Sequence, residues 1–316
     1  EGGDRVVLVS ENRAEWVIAD LAIMAAGAVT VPAYTTNSAD DHGHILGHSG
    51  AAALIVSAAA LARPLLAAAR SAPELKLVVA MEAVGGDEAG SLEIQSWDDV
   101  IVRGGALADD VAARVSRIAP GELACFIYTS GTGGQPKGVM LSHGAIACNV
   151  SSATDLLTEV GLGGPGEDVF LSFLPLSHSY EHTCGLHLPI SLGAQIYYAE
   201  GIETLSANMA EAQPTIMTCV PRLYEIMRAR ILAGVTRAGG AKKYLFEAAL
   251  GLGRKRHEGT RLSLMEKLLD RLVERLVRDK VRGRFGGRMK ALVSGGAPLN
   301  YDVGMFFLAL GLPVYQ

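Results

Sequence analysis

The chain is poor in cysteine, in aromatic residues and in charge. Its four cysteines, Cys125, Cys148, Cys184 and Cys219, lie 23, 36 and 35 residues apart, so no C-x-x-C pair exists for a zinc or redox centre. They read as buried free thiols of a reducing compartment. Aromatic residues make up 6% and charged residues 19% of the 316 residues. The net charge is −5, which gives the molecule as a whole no electrostatic reason to seek nucleic acid. Long hydrophobic runs are scarce: the longest, residues 51–69, is weakly apolar alanine broken by Arg63 and Pro64, a costly pair in lipid. The polar start, residues 1–5, runs straight into a strand-like segment and does not read as a signal peptide. A soluble, cytoplasmic chain is expected.

Several catalytic patterns are also missing. No G-x-S-x-G elbow exists, because Leu292 stands where its first glycine would be. Residues 161–166, G-L-G-G-P-G, copy the dinucleotide fingerprint, but a helix precedes them and a strand follows, the reverse of the order that motif requires. His42, His44 and His48 have a metal-like spacing without a reinforcing ligand set, and a polar helix start explains them.

What is present is core-forming sequence, 49% hydrophobic, in a repeating order. Apolar runs at 6–10, 28–32 and 53–57 alternate with helical stretches, the first over 12–26 and another interrupted near Pro64. That rhythm predicts an α/β fold with mostly parallel sheets flanked by helices. Residues 85–90 read as a loop, and 104–121 as a linker with a short helix. Beyond it, strands are expected over 169–174, 195–199, 216–220, 292–294 and 313–315, with helices over 144–157, 182–192, 204–213 and 222–233. Ser142 is placed to cap the helix over 144–157.

Residues 128–138, Y-T-S-G-T-G-G-Q-P-K-G, follow a buried-strand pattern and carry the strongest chemical signal. Thr129, Ser130 and Thr132 offer hydroxyls, Gly131, Gly133 and Gly134 let backbone amides approach an anion, and Lys137 adds a point charge. That is the chemistry of a polyphosphate cradle. It is not a Walker loop, since Pro136 precedes Lys137 and Gly138 follows it.

On these residues the chain resembles the adenylate-forming (AMP-binding) superfamily, with Gly133 standing where that family usually has threonine. Two further segments resemble its long-chain fatty acyl-CoA synthetases of bacterial type, F-L-P-L-S-H-S-Y-E-H at 173–182 and V-P-R-L-Y-E at 220–225, and S-G-G-A-P-L at 294–299 resembles the superfamily's adenine-binding turn. The resemblance implies ATP, Mg2+ and coenzyme A as cofactors and a fatty acid as substrate. It places Lys137, Thr132 and His178 in the chemistry, with His178 beside the reacting carboxylate. Gly295, Gly296, Ala297 and Pro298 would seat the adenine. It also implies one partial AMP-binding N-terminal domain, with 1–118 as a first α/β subdomain and 119–316 carrying the phosphate loop and adenine turn. The family's magnesium-binding glutamate segment would begin where the chain stops at Gln316, and its C-terminal domain would lie beyond, so 316 residues alone are expected to bind nucleotide weakly and not turn over. Two alternatives stay open: adenylation of another carboxylic acid, and a non-catalytic nucleotide- or acyl-binding module.

Residues 254–290 stand apart, with thirteen Lys or Arg against five Asp or Glu. Met265, Leu268, Leu269, Leu272 and Leu276 recur at helical spacing there. The ordinary arrangement lays that stripe on the core under a solvated basic face. The other expectation is a peripheral membrane contact through a basic helix over 261–284, on the inner surface of the membrane.

Overall fold

Short β-branched and leucine-rich runs, apolar on both faces, suit strands covered by helices on each side. In the computed structural model, which describes residues 2–70, 72–84, 92–108, 110–129, 135–162 and 166–316, such runs build two sheets, each inside its own compact unit. The first unit takes Glu1–Ser152 and Pro175–His182; the second takes Ala153–Leu174 and Thr183–Gln316.

In the first unit the strands are β1 (Arg5–Val9), β2 (Val29–Pro32), β3 (Ala51–Val56), β4 (Leu77–Ala80), β5 (Glu93–Ser96), β6 (Leu123–Thr129) and β7 (Lys137–Ser142). Among the described residues they lie in the order β5-β4-β3-β1-β2-β6-β7. Neighbours are parallel except β6 and β7, which form an antiparallel hairpin. Val7, Val9, Leu54, Val56 and Val78 face a core completed by Leu65, Leu66 and Ala69 from the helix Ala59–Ala69. That helix runs through Pro64 without the expected interruption. The one backbone hydrogen bond that Pro64 cannot donate is outweighed by burying Ala62, Leu65, Leu66 and Ala69 on the sheet. Met24, Cys125, Ile127 and Ile146 form a second apolar cluster of the same unit.

The first compact unit runs on past the phosphate-loop strand to Ser152. The reason is strand pairing: β6 lies beside β2, with Thr30 opposite Cys125, so the phosphate-loop strand is part of the first sheet. The expected loop over 85–90 lies outside the described residues.

The second unit holds β8 (Val169–Ser172), β9 (Gln195–Tyr198), β10 (Ile216–Cys219), β11 (Ala291–Ser294) and β12 (Val314–Tyr315), all parallel, in the order β12-β11-β10-β8-β9. Met217, Tyr224, Phe246, Phe306 and Phe307 anchor its core, and the Tyr224 and Phe307 rings meet edge to face at 5.3 Å. The helix expected over 182–192 is instead a π-helical turn, His182–His187, followed by the short helix Leu188–Ser191. Pro189 has no N–H to continue a regular ladder, and the wider turn ends just before it. No helix among the described residues is long and apolar enough to cross a membrane.

Candidate nucleotide and carboxylate site

The phosphate-loop sequence connects the antiparallel strands β6 and β7. Thr129 ends β6 directly opposite Lys137, the first residue of β7, and Tyr128 is opposite Gly138. Ser130, Gly131, Thr132, Gly133 and Gly134 lie outside the described residues, so the stems define the site. Gly138 lies close against Tyr128: a Cβ there would sit 3.2 Å from Tyr128 Cζ, so the ring would have to shift to admit one.

The helix Ala39–Ser49 holds both ends of this turn. Ser38 caps the helix, accepting from the Asp41 amide while the Asp41 carboxylate accepts from the Ser38 amide. One face of the helix then presents His44 and His48, whose rings stack at 5.1 Å. His44 Nε2 donates to the Pro136 carbonyl at 2.9 Å, and His48 Nδ1 is hydrogen-bonded to the Tyr128 hydroxyl at 2.8 Å. Burial raises the Tyr128 phenol above its ordinary pKa, so it stays protonated at neutral pH. The histidines therefore brace the turn from outside, each with a ring nitrogen engaged. His42, on another face, is buried, and burial pulls its pKa down against the pull of Asp41.

His178 arrives on a separate stretch, Pro175–His182, that belongs to the first unit. Two contacts fix that stretch. The Leu176 amide donates to Asn12 Oδ1 at 3.0 Å, and His182 Nε2 meets the Asp20 carboxylate at 3.0 Å with both side chains buried. The edge of Trp16 lies against the His182 ring, at a centroid distance of 5.8 Å. Burial alone would pull the His182 imidazolium down; the Asp20 charge and hydrogen bond overcome it and push the pKa up to about 10.

Held this way, His178 caps the short helix Ser179–Glu181, and its Nδ1 accepts from the Tyr180 amide at 3.1 Å. A neutral ring with Nδ1 accepting must carry its proton on Nε2. His178 is thus an uncharged Nε2–H donor. It lines a cavity of about 360 Å³ with Ser179, Thr129 and Pro136, against apolar walls that include Ile45 and Ile127. Thr129 and His178, 49 residues apart in sequence, meet at that cavity. Lys137 is exposed at the mouth of the hairpin.

In the second unit, S-G-G-A-P is the turn leaving β11. The Gly295 amide donates to the Cys219 carbonyl at 3.0 Å. Gly296 has φ +78°, a left-handed conformation that favours glycine, and Gly296, Ala297 and Pro298 are exposed. Ser294 Oγ is buried and has no hydrogen-bond partner among the described residues. The turn offers flat backbone without side-chain bulk and one orphaned hydroxyl, a surface suited to a planar heterocycle.

Sequence reasoning missed Asn12 and Asp20, and it set His44 and His48 aside as part of a polar helix start. The i, i+4 spacing of His44 and His48 was a readable signal, since it puts both rings on one helix face. Nothing in the sequence linked Asn12 or Asp20 to a segment more than 150 positions away.

The strand β6 leads into a glycine- and hydroxyl-rich sequence and, through Thr129, lines the same cavity as His178, within a fold of the α/β class. The chain belongs to the family of AMP-binding enzymes, which it matches over residues 1–316. It is 31% identical to the long-chain-fatty-acid–CoA ligase ACSBG2 of Rattus norvegicus, over 98% of this chain and 47% of the relative. With the long-chain-fatty-acid–CoA ligase FadD15 of Mycobacterium tuberculosis it shares 30% identity, over 100% of this chain and 51% of the relative. The chain therefore spans about half the length of the curated relatives it matches. Among solved structures, the A-PCP didomain of a carboxylic acid reductase from Segniliparus rugosus in complex with AMP has the same fold, with TM-score 0.74 and 20% identity over 99% of this chain and 42% of that one. The N-terminal domain of FACL13 from Mycobacterium tuberculosis gives TM-score 0.63 and 20% identity, over 99% of this chain and 62% of that one.

Proposed function

We propose that the polypeptide carrying this chain activates a long-chain fatty acid with ATP in the cytoplasm and passes the acyl group to coenzyme A. In the first step a carboxylate oxygen bonds to the α-phosphorus as the bond to the leaving pyrophosphate breaks. In the second, the coenzyme A thiol releases its proton to solvent, its sulfur bonds to the acyl carbon, and the bond from that carbon to the AMP oxygen breaks. The first step asks the protein only for positioning and for charge neutralisation. Thr129, Ser130, Thr132 and Lys137, with the amides of Gly131, Gly133 and Gly134, hold the departing phosphates. The Nε2–H of His178 donates to the carboxylate or the α-phosphate; it need not take a proton, because a fatty carboxylate is already ionised at pH 7. Gly295, Gly296, Ala297 and Pro298 carry the adenine, with Ser294 Oγ as a polar handle.

One observation carries this reading: Thr129 and a tautomerically fixed His178 share one cavity in a chain of the AMP-binding family. Within this cavity Mg2+ would enter as the counter-ion of the triphosphate. The carboxylate lining this cavity, Asp41, is already bonded to the Ser38 amide and hydroxyl, so the donor set does not fit a protein-held magnesium ion.

The test is fatty-acid-dependent exchange of labelled pyrophosphate into ATP by the full-length gene product. Exchange driven by long-chain fatty acids, and not by aryl or amino acids, is the expected result. Lys137→Ala should lower it about 100-fold, on the scale of losing a charge-assisted bond to phosphate at about 1.5–3 kcal/mol. Unchanged exchange in that variant would remove Lys137 from the site, and exchange with no carboxylate at all would sink the ligase reading.

A further inference from the structure

The helix Leu264–Val273, continued by the π-helical turn Glu274–Arg278, is mounted with its apolar stripe outward. Leu264, Met265, Leu268, Leu272 and Leu276 are between 41% and 80% exposed, whereas Val273 and Val277 enter the core and Leu269 packs against it. This reverses the ordinary expectation of a core-facing stripe. Arg278 supplies the reason. It is buried, donating to the carbonyls of Ala249 and Ala309 and pairing with Asp270 and Glu274. A polar network thus occupies the inner side of the helix, and the leucines are left outside.

The same network sorts the charges. Glu266 pairs with Lys255, Asp270 with Arg256 and Arg278, and Glu274 with Arg278 and Arg282. Every acidic residue of the helix and its π turn is therefore matched. Lys267, Arg271 and Arg275 are exposed and have no ion pair among the described residues. They recur every four residues, one position ahead of Leu268, Leu272 and Leu276. Two parallel ridges result, one of leucine and one of uncompensated positive charge.

We propose that this helix face is a docking surface for a membrane bearing anionic lipids, the leucine ridge entering the acyl boundary and the cationic ridge meeting the headgroups. Charge complementarity selects this occupant. A second copy of the chain would bring the same cations against these and be repelled, while an anionic bilayer matches both ridges at once. The inference stands apart from the ligase reading, because it concerns a surface of the second unit and is tested without turnover.

The test is co-sedimentation of the full-length gene product with phosphatidylcholine vesicles, with and without phosphatidylglycerol. Binding to the anionic vesicles that weakens with salt is expected. Lys267→Glu/Arg271→Glu/Arg275→Glu should lower affinity at least about 100-fold, since each cation near such a surface contributes about 1 kcal/mol, roughly a factor of five. Leu268→Gln/Leu272→Gln should lower it at least about tenfold at unchanged charge. All of these side chains are exposed, so thermal melts should match the wild type and separate lost binding from lost folding. Equal binding to neutral vesicles, no binding to either, or binding unaffected by both variants would overturn the proposal. So would a lipid-free dimer that Leu268→Gln/Leu272→Gln dissolves, because that assigns the ridge to a second copy.

Discussion

Asp20 and His182 show what one buried pair does for a site it does not touch. The pair pins Pro175–His182, and with it the Nε2–H of His178. Because the folded-state pKa of His182 is raised from 6.5 to about 10, its contribution to stability is fully present below pH 6.5 and is lost as pH rises toward 10. Thermal melts across that range should therefore show a falling melting temperature, and Asp20→Asn should flatten the fall while lowering stability by about 3 kcal/mol near neutral pH. A wild-type melting temperature independent of pH over that window would mean that His182 is not charged in the fold. This pair was invisible in the sequence. Asp20 sits in an apolar helical stretch where a solvated aspartate would look the same. The position of His178, by contrast, was legible, because a histidine after a strand and before a helix start marks a corner. Its tautomer was not, since that depends on the Tyr180 amide meeting Nδ1.

The β6–β7 pair is the element on which the proposed phosphate chemistry hangs. Gly138→Ala would push a methyl group against the Tyr128 ring, and Tyr128→Phe would remove the hydroxyl that meets His48. Each should cost about 1 kcal/mol in urea unfolding, and together less than their sum, because both act on the contact between Tyr128 and the bracing helix. Full additivity in a double-mutant cycle would separate the two and leave the brace without a role in holding the turn. β6 was legible as a short apolar run, and so were β1, β2 and β3. β7 was not: Lys137–Ser142 is half exposed, opens with Lys-Gly after a proline, and alternates too weakly to announce an edge strand. The outward stripe of Leu264–Val273 was legible as a period but not as a direction, because its orientation is set by Arg278 and partners drawn from distant helices.

At the scale of the molecule, the chain leaves the first unit at Ser152 and returns to it for Pro175–His182 before leaving again. A chain ending at Ser152 would keep β1–β7 yet bury Asp20 without His182. Such a truncation should fail to give cooperative unfolding, whereas adding Pro175–His182 back as a linked segment should restore it, as followed by circular dichroism and hydrogen exchange. A fully cooperative 1–152 would show that the return segment is dispensable for that unit. The alternation of strands and helices was enough to foresee mostly parallel sheets flanked by helices. It could not foresee this detour, which is fixed by side chains at Asn12 and Asp20 rather than by any periodicity.

The detour also constrains inheritance. Recombination between relatives anywhere from 153 to 174 would take Leu176 and His182 from one parent and Asn12 and Asp20 from the other. Viable exchanges should therefore avoid that interval or carry 175–182 along with 1–152, and substitutions at 20 should track those at 182 across descendants, whereas 176, which offers only its backbone amide to Asn12, is free to vary.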